Sequence, residues 1–167
     1  MNNSLSKLLA KQYMESAGWA DWILRTLSDD DLKLEIAPGK NHGVWILGHL
    51  IACEDDFSLY MGKGEITIPD YQKLFCEGSK LQPVENYPPV SELREKWNEI
   101  IRRNKKIYDN LTDEELTELH ANEKDANNAF WKTKEDVVIH WQLHLMYHAG
   151  KLALLTSKAG KILTPKN

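Results

Sequence analysis

Apolar residues recur at intervals of three and four along most of this chain, the spacing that puts them on one face of a helix. Leu5, Leu8, Leu9, Tyr13, Ala17, Ala20, Leu24 and Leu27 predict a first long helix from about Leu5 to Leu27. Asp29-Asp30-Asp31 and then Pro38-Gly39 mark a connection. Asn41 is expected to cap a second helix through Val44, Leu47, Leu50, Ile51, Phe57 and Met61, which Gly62 and Gly64 end. From Gly64 to Pro89 the chain is rich in Pro, Gly and polar residues, with one short helix expected around Asp70 to Cys76. A third helix is expected to start at Ser91, behind Pro88-Pro89, and to run through Leu93, Trp97, Ile100, Ile101, Ile107, Tyr108 and Leu111. Thr112-Asp113-Glu114-Glu115 reads as the start of a short helical turn. The fourth long helix has a marked start, because Thr133 places a hydroxyl three residues before Asp136, close to a capping box, and it should reach about Ser157. Strand alternation is confined to a few residues such as Glu65 to Ile68. The reading is all-α: a four-helix bundle with one long crossover connection, where sites are built from side chains on facing helices.

At 167 residues with 42% hydrophobic content, the chain is expected to form one domain, residues 1–167, able to bury a core without disulfides. A formal charge of -4 argues against a phosphate-tracking surface, so no nucleic-acid partner is expected. The densest basic run, Arg102-Arg103-Asn104-Lys105-Lys106, follows Glu95 and Glu99 at helical spacing and reads as a solvated face. No stretch approaches the roughly 18 apolar residues of a spanning helix, so no membrane partner is expected. Two cysteines, Cys53 and Cys76, with no disulfide framework and no signal peptide, predict a cytoplasmic setting.

The candidate chemistry lies in histidines. His140, His144 and His148 stand four residues apart in the fourth helix, so their imidazoles share one face with a drift of about 40° per step. His49 lies inside the apolar run Val44-Trp45-Ile46-Leu47-Gly48-His49-Leu50-Ile51, where a histidine needs a polar partner or an ion. A pair four apart on one helix and a single histidine from another form a facial metal site, offered here by His49, His144 and His148. His140 is left out, because one ion is not easily reached from three imidazoles spread over two turns of about 5.4 Å. A core histidine satisfied by a polar partner is the plain alternative for His49, and chance surface spacing the alternative for the pair. Cys53 and Asp56 share the His49 face: Cys53 reads as a small core residue or a thiolate ligand, and Asp56 as an assisting base, a group orienting a ligand, or a solvated acid. His42 is expected to be exposed, and His120 carries no signal. Trp19, Trp22 and Trp45 are candidates for core, interface or pocket wall. There is no phosphate loop, nucleophile elbow or Cys-x-x-Cys pair.

Trp45-Ile46-Leu47-Gly48-His49-Leu50 and, about 95 residues on, His144-Leu145-Met146-Tyr147-His148-Ala149-Gly150-Lys151-Leu152 resemble the paired signatures of the DinB-like superfamily. The resemblance implies an up-down-down-up four-helix bundle, often a homodimer, with a divalent metal held by histidines that map onto His49, His144 and His148. It implies relatives that include thiol-dependent S-transferases and isomerases using bacillithiol or mycothiol, and the amino-terminal domain of iron-dependent ergothioneine-synthase-type enzymes. One departure is Lys151, where the family often has Gln; it sets a cation beside the second signature. The expectation is a divalent-metal-dependent enzyme, with zinc, nickel, iron or manganese as cofactor. The ion would activate water or a small thiol for hydrolysis or S-transfer on a small-molecule substrate, with Asp56 assisting. The competing expectation is a non-catalytic metal-binding or stress-related interaction bundle.

Overall fold

The structure, a computed structural model, describes residues 4–76 and 78–163. Among the described residues there are seven α-helices, α1 (Leu5–Thr26), α2 (Asp29–Leu32), α3 (Gly43–Tyr60), α4 (Pro69–Phe75), α5 (Val90–Asp109), α6 (Asp113–Leu116) and α7 (Lys134–Lys158), with short 3-10 turns at Val84–Asn86 and Glu123–Asp125. Among the described residues there is no strand beyond two isolated bridges, Glu35 with His42 and Leu119 with Thr133. No described helix is long and apolar enough to cross a membrane.

The four long helices appear where the apolar periodicity puts them, and their ends follow local chemistry. Thr133 and Asp136 cap α7 reciprocally, each side chain bonding the other's backbone amide. Two starts differ from expectation. The second long helix is capped by His42, not Asn41: the His42 Nδ1 accepts from the Trp45 amide at 3.0 Å while Nε2–H donates to the Gln82 carbonyl at 3.3 Å. The two bonds carry the ring inward, so His42 is buried rather than exposed. α5 begins at Val90, one residue before Ser91, because Pro89 occupies the N-cap. At the far end of α3, Gly62 adopts φ +67° after the Met61 cap, the left-handed turn that glycine makes at least cost.

Each long helix packs on two others: α1 on α5 and α7, and α3 on the same two. Arg94 near the start of α5 donates to the Leu24 and Leu27 carbonyls at the end of α1, and Leu155 near the end of α7 meets Gly43 at the start of α3. Tyr13 near the start of α1 stacks at 4.0 Å on Tyr108 at the end of α5, which stacks at 4.8 Å on Phe57. Thus α1 and α7 run one way, α3 and α5 the other.

α3 is the central element, since every residue from Gly43 to Ala52 is buried, covered on its remaining side by α4 from the long connection. Two buried carboxylates of α3 are paired in the core. Asp55, fully buried, accepts from Arg103 Nη1 at 2.7 Å and from the backbone and hydroxyl of Thr67. Glu54 accepts from Tyr13 Oη and Asn104 Nδ2, and burial pushes its carboxyl up to about 7. An exposed apolar strip remains on the outer face of α1 and α7, including Leu8, Trp19, Leu143, Tyr147 and Leu154.

Candidate metal centre

His49 is positioned by the close approach of α4 to α3. A Cβ on Gly48 would stand 2.3 Å from the Phe75 ring, so the absence of a side chain there lets Phe75 lie against the helix. The Phe75 carbonyl then reaches His49 Nδ1 at 2.6 Å. A carbonyl only accepts, so Nδ1 is the protonated nitrogen and Nε2 bears the lone pair, the arrangement of a metal-ligating histidine. Trp45, one turn earlier, stacks on the His49 ring at 4.9 Å and 10°, and its Nε1–H donates to Ser79 Oγ.

α7 brings the second pair. His144 and His148, one turn apart, have ring centroids 4.4 Å from each other and 5.0 and 4.6 Å from that of His49. The Nε2 atoms of His49 and His144 are 3.1 Å apart. Two nitrogens each about 2.1 Å from one ion stand about 3.0 Å apart at octahedral and about 3.4 Å at tetrahedral angles, so this separation fits a shared ion. His148 is buried, and its Nδ1 has no hydrogen-bond partner. Such an orphan costs about 1–3 kcal/mol unless an ion or water meets it.

The electrostatics keep these rings in the ligand form. Burial, then the His49 ring, lowers His144 to about 4, and burial, then His144, depresses His148 as well, with the Lys151 ammonium adding to both. Near neutral pH both imidazoles are uncharged, the state that coordinates.

Cys53 also enters the cluster. Its Sγ lies 3.7 Å from His49 Nε2 and 3.9 Å from Nδ1, and the tight donor group of His49, Cys53 and His144 has its ligand atoms within 4.8 Å of one another. His148 adjoins that group through its ring contacts.

The cluster opens on a cavity of about 550 Å³ walled by Trp45, Trp131, Trp141 and Tyr147, with Asp56 and Lys151 also lining it. Asp56 accepts from Gln72 Nε2 at 2.9 Å; burial, then the neighbouring Asp55, raises its carboxyl to about 7. The same Gln72 takes the Cys76 thiol hydrogen on Oε1 at 2.6 Å. The Lys151 ammonium sits 4.1 Å over the Tyr147 ring.

Other residues marked by the sequence lie at the rim or elsewhere. His140 is exposed, against Trp131 at 4.4 Å on the cavity rim and outside the tight donor group. His120, which carried no signal, packs on Tyr60 at 5.1 Å with a buried Nδ1 lacking a partner. Trp19 and Trp22 pair edge-on at 5.2 Å away from the cavity, so only Trp45 of that trio is a wall. Trp131 and Trp141 were not singled out by sequence, although the i+4 spacing of Trp141 from Val137 and Leu145 marked its inward face. Trp131 follows no periodicity and is held by Asp125, which also accepts from Tyr60.

The family profile described as the DinB superfamily matches residues 18–152. Among solved structures, a crystal structure of a conserved protein from Enterococcus faecalis is similar with TM-score 0.69 and 14% identity, covering 95% of this chain and 99% of that one. At that identity the likeness concerns the fold. No curated protein matches the chain.

Proposed function

The chain belongs to the DinB superfamily, and on that footing we propose that it is a divalent-metal-dependent enzyme whose His49, His144 and His148 hold the ion. The reaction is hydrolysis or S-transfer on a small electrophile. The observation that carries the reading is the meeting of three imidazoles from two helices, with the Nε2 atoms of His49 and His144 at 3.1 Å, on the wall of a cavity of about 550 Å³. A structural site is usually closed, whereas three protein ligands beside a cavity leave room for a small molecule.

When bound, a divalent ion supplies Lewis acidity that makes water or a small thiol nucleophilic near neutral pH. The chain's own groups do the rest. The Phe75 carbonyl holds His49 in its lone-pair-inward tautomer, which fixes one ligand before the ion arrives. Asp56, held by Gln72 and poised at about 7, takes up the proton the nucleophile releases. Trp45, Trp131 and Trp141 provide apolar walls that exclude water from the reacting pair.

The test is elemental analysis of tag-free protein purified without added metal, repeated on His49→Ala and His148→Ala, followed by thiol transfer to a generic electrophile. About one zinc, nickel, iron or manganese per chain, lost in both variants, is the expected result. Absence of metal in wild type, with no uptake of any divalent ion on titration, sinks the reading and leaves the non-catalytic bundle.

A further inference from the structure

We propose that Lys151 is the anion-binding residue of this cavity, so that the small molecule taken by the centre is a carboxylate whose charge pairs with the Lys151 ammonium while its reacting end faces the histidines. The inference rests on the metal-binding reading above and names its substrate class.

Lys151 follows His148 and His144 along α7 at helical spacing, so all three project from one face. Its ammonium lies 4.1 Å from the centre of the Tyr147 ring, and that ring lies 5.0 Å from the His148 ring. A short-chain acid spans such a reach. Because α3 and α7 run antiparallel, the cavity has two ends. Trp141 packs on Tyr60 at 4.8 Å toward one of them, and Leu155 meets Gly43 beyond the other. Lys151 therefore stands level with the start of α3, beside Asn41 and Trp45, whereas Asp56 lines the opposite end. From Trp45 to Asp56 the helix rises about 16 Å, and the histidines lie between. A carboxylate held by Lys151 is thus kept clear of that acid.

Charge points the same way. Apart from the histidines, Lys151 and Asp56 are the ionic side chains among the described residues that line the cavity. Lys151 pairs with no described carboxylate. Its contact is the face of Tyr147, which attracts the ammonium through the ring quadrupole and leaves its charge unneutralised. Neutral donors stand at the same end. Ser79 Oγ accepts from Trp45 Nε1 at 3.3 Å, which leaves its own hydrogen without a described acceptor, and the Asn41 carboxamide bonds no described residue. Lys151, Ser79 and Asn41 are all half-buried and line the cavity. One ammonium with neutral donors beside it matches the single charge and two acceptor oxygens of a carboxylate. A phosphate dianion calls for a second cation, and among the described residues no arginine and no other lysine lines the cavity.

The test compares mercaptoacetate with its neutral amide, mercaptoacetamide, as probes of the full chain saturated with cobalt(II), in wild type, Lys151→Gln and Lys151→Arg. Binding is read from the visible bands of the bound ion, so no turnover is needed. Taking the ratio of the two affinities in each protein, and comparing ratios, cancels what the probe thiols themselves contribute. A charge-assisted hydrogen bond predicts a preference for the carboxylate about 10–100-fold stronger in wild type than in Lys151→Gln. Lys151→Arg keeps the charge and should keep the preference, and added salt should weaken it in both. An equal ratio in wild type and Lys151→Gln, or cobalt-loaded wild type that binds neither probe, overturns the inference while the metal site stands. Failure of wild type to take up cobalt at all overturns both this inference and the reading beneath it.

Discussion

Replacing Gly48 with alanine tests the contact on which His49 depends. The new Cβ would stand 2.3, 2.4 and 2.5 Å from three atoms of the Phe75 ring, against about 3.5–4.0 Å for relaxed carbon contacts. More than about 1 Å of retreat is required. Phe75 is fully buried and wedged between Tyr71 and Tyr87, with ring centroids at 5.3 and 5.2 Å, so it does not swing aside freely. Overpacking of this kind costs about 1–3 kcal/mol, and the size of the clash puts this one near the top. Alanine recovers about 1 kcal/mol of helix propensity. The net loss is about 2 kcal/mol, a fall in Tm of about 4–8 °C for a chain of this size.

Gly150 is the control. It lies in α7, where an added methyl group would meet nothing within 4 Å, so Gly150→Ala should stabilise by about 0.5–1 kcal/mol. Both variants are melted in chelator so that metal makes no contribution. A second arm measures metal affinity: retreat of Phe75 carries off the carbonyl that holds Nδ1 of His49, and loss of such a contact weakens metal binding about 10–100-fold. A Gly48→Ala protein that melts above wild type alongside Gly150→Ala, with unchanged metal affinity, refutes the reasoning.

Glu54 gives a pH signature. Its folded carboxyl titrates near 7 because of burial, against about 4.3 when unfolded. The folded state therefore keeps a proton that the unfolded chain has lost. The stabilisation is full below about pH 4.3 and is lost as pH rises to about 7. Urea unfolding at pH 5 and pH 8 in chelator should show a slope shallower in Glu54→Gln by on the order of 3 kcal/mol, and equal slopes would exclude a protonated Glu54. Arg103→Met leaves the fully buried Asp55 with its Thr67 and Ile68 contacts but without its cation; a loss of about 3 kcal/mol is expected, and denaturant midpoints within error of wild type would contradict it. Thr133→Ala removes one half of the α7 capping box, with an expected loss of about 1 kcal/mol, read as a lower Tm and faster amide exchange in the first turn of α7.

The long helices were legible in the chain because their causes are local. Periodic apolar residues need a face to bury, and Thr133 with Asp136 or the glycines after Met61 act within a few residues of themselves. The same periodicity put His144 and His148 on one face, and the isolation of His49 among apolar residues marked it as needing a partner. What lay beyond the sequence came from the long connection and from packing between helices. His42 rather than Asn41 caps α3 because the Gln82 carbonyl, 40 residues on, draws its ring inward. Phe75 supplies the carbonyl for His49 because α4 folds back over Gly48. Cys53 reads as a small core residue or a ligand in one dimension; the structure sets its sulfur beside the His49 ring, 3.7 Å from Nε2 and 3.9 Å from Nδ1. Local periodicity thus determined which residues share a helix face, while the identity of the donors that meet depended on contacts between elements, for which a single strand of sequence carries no ruler.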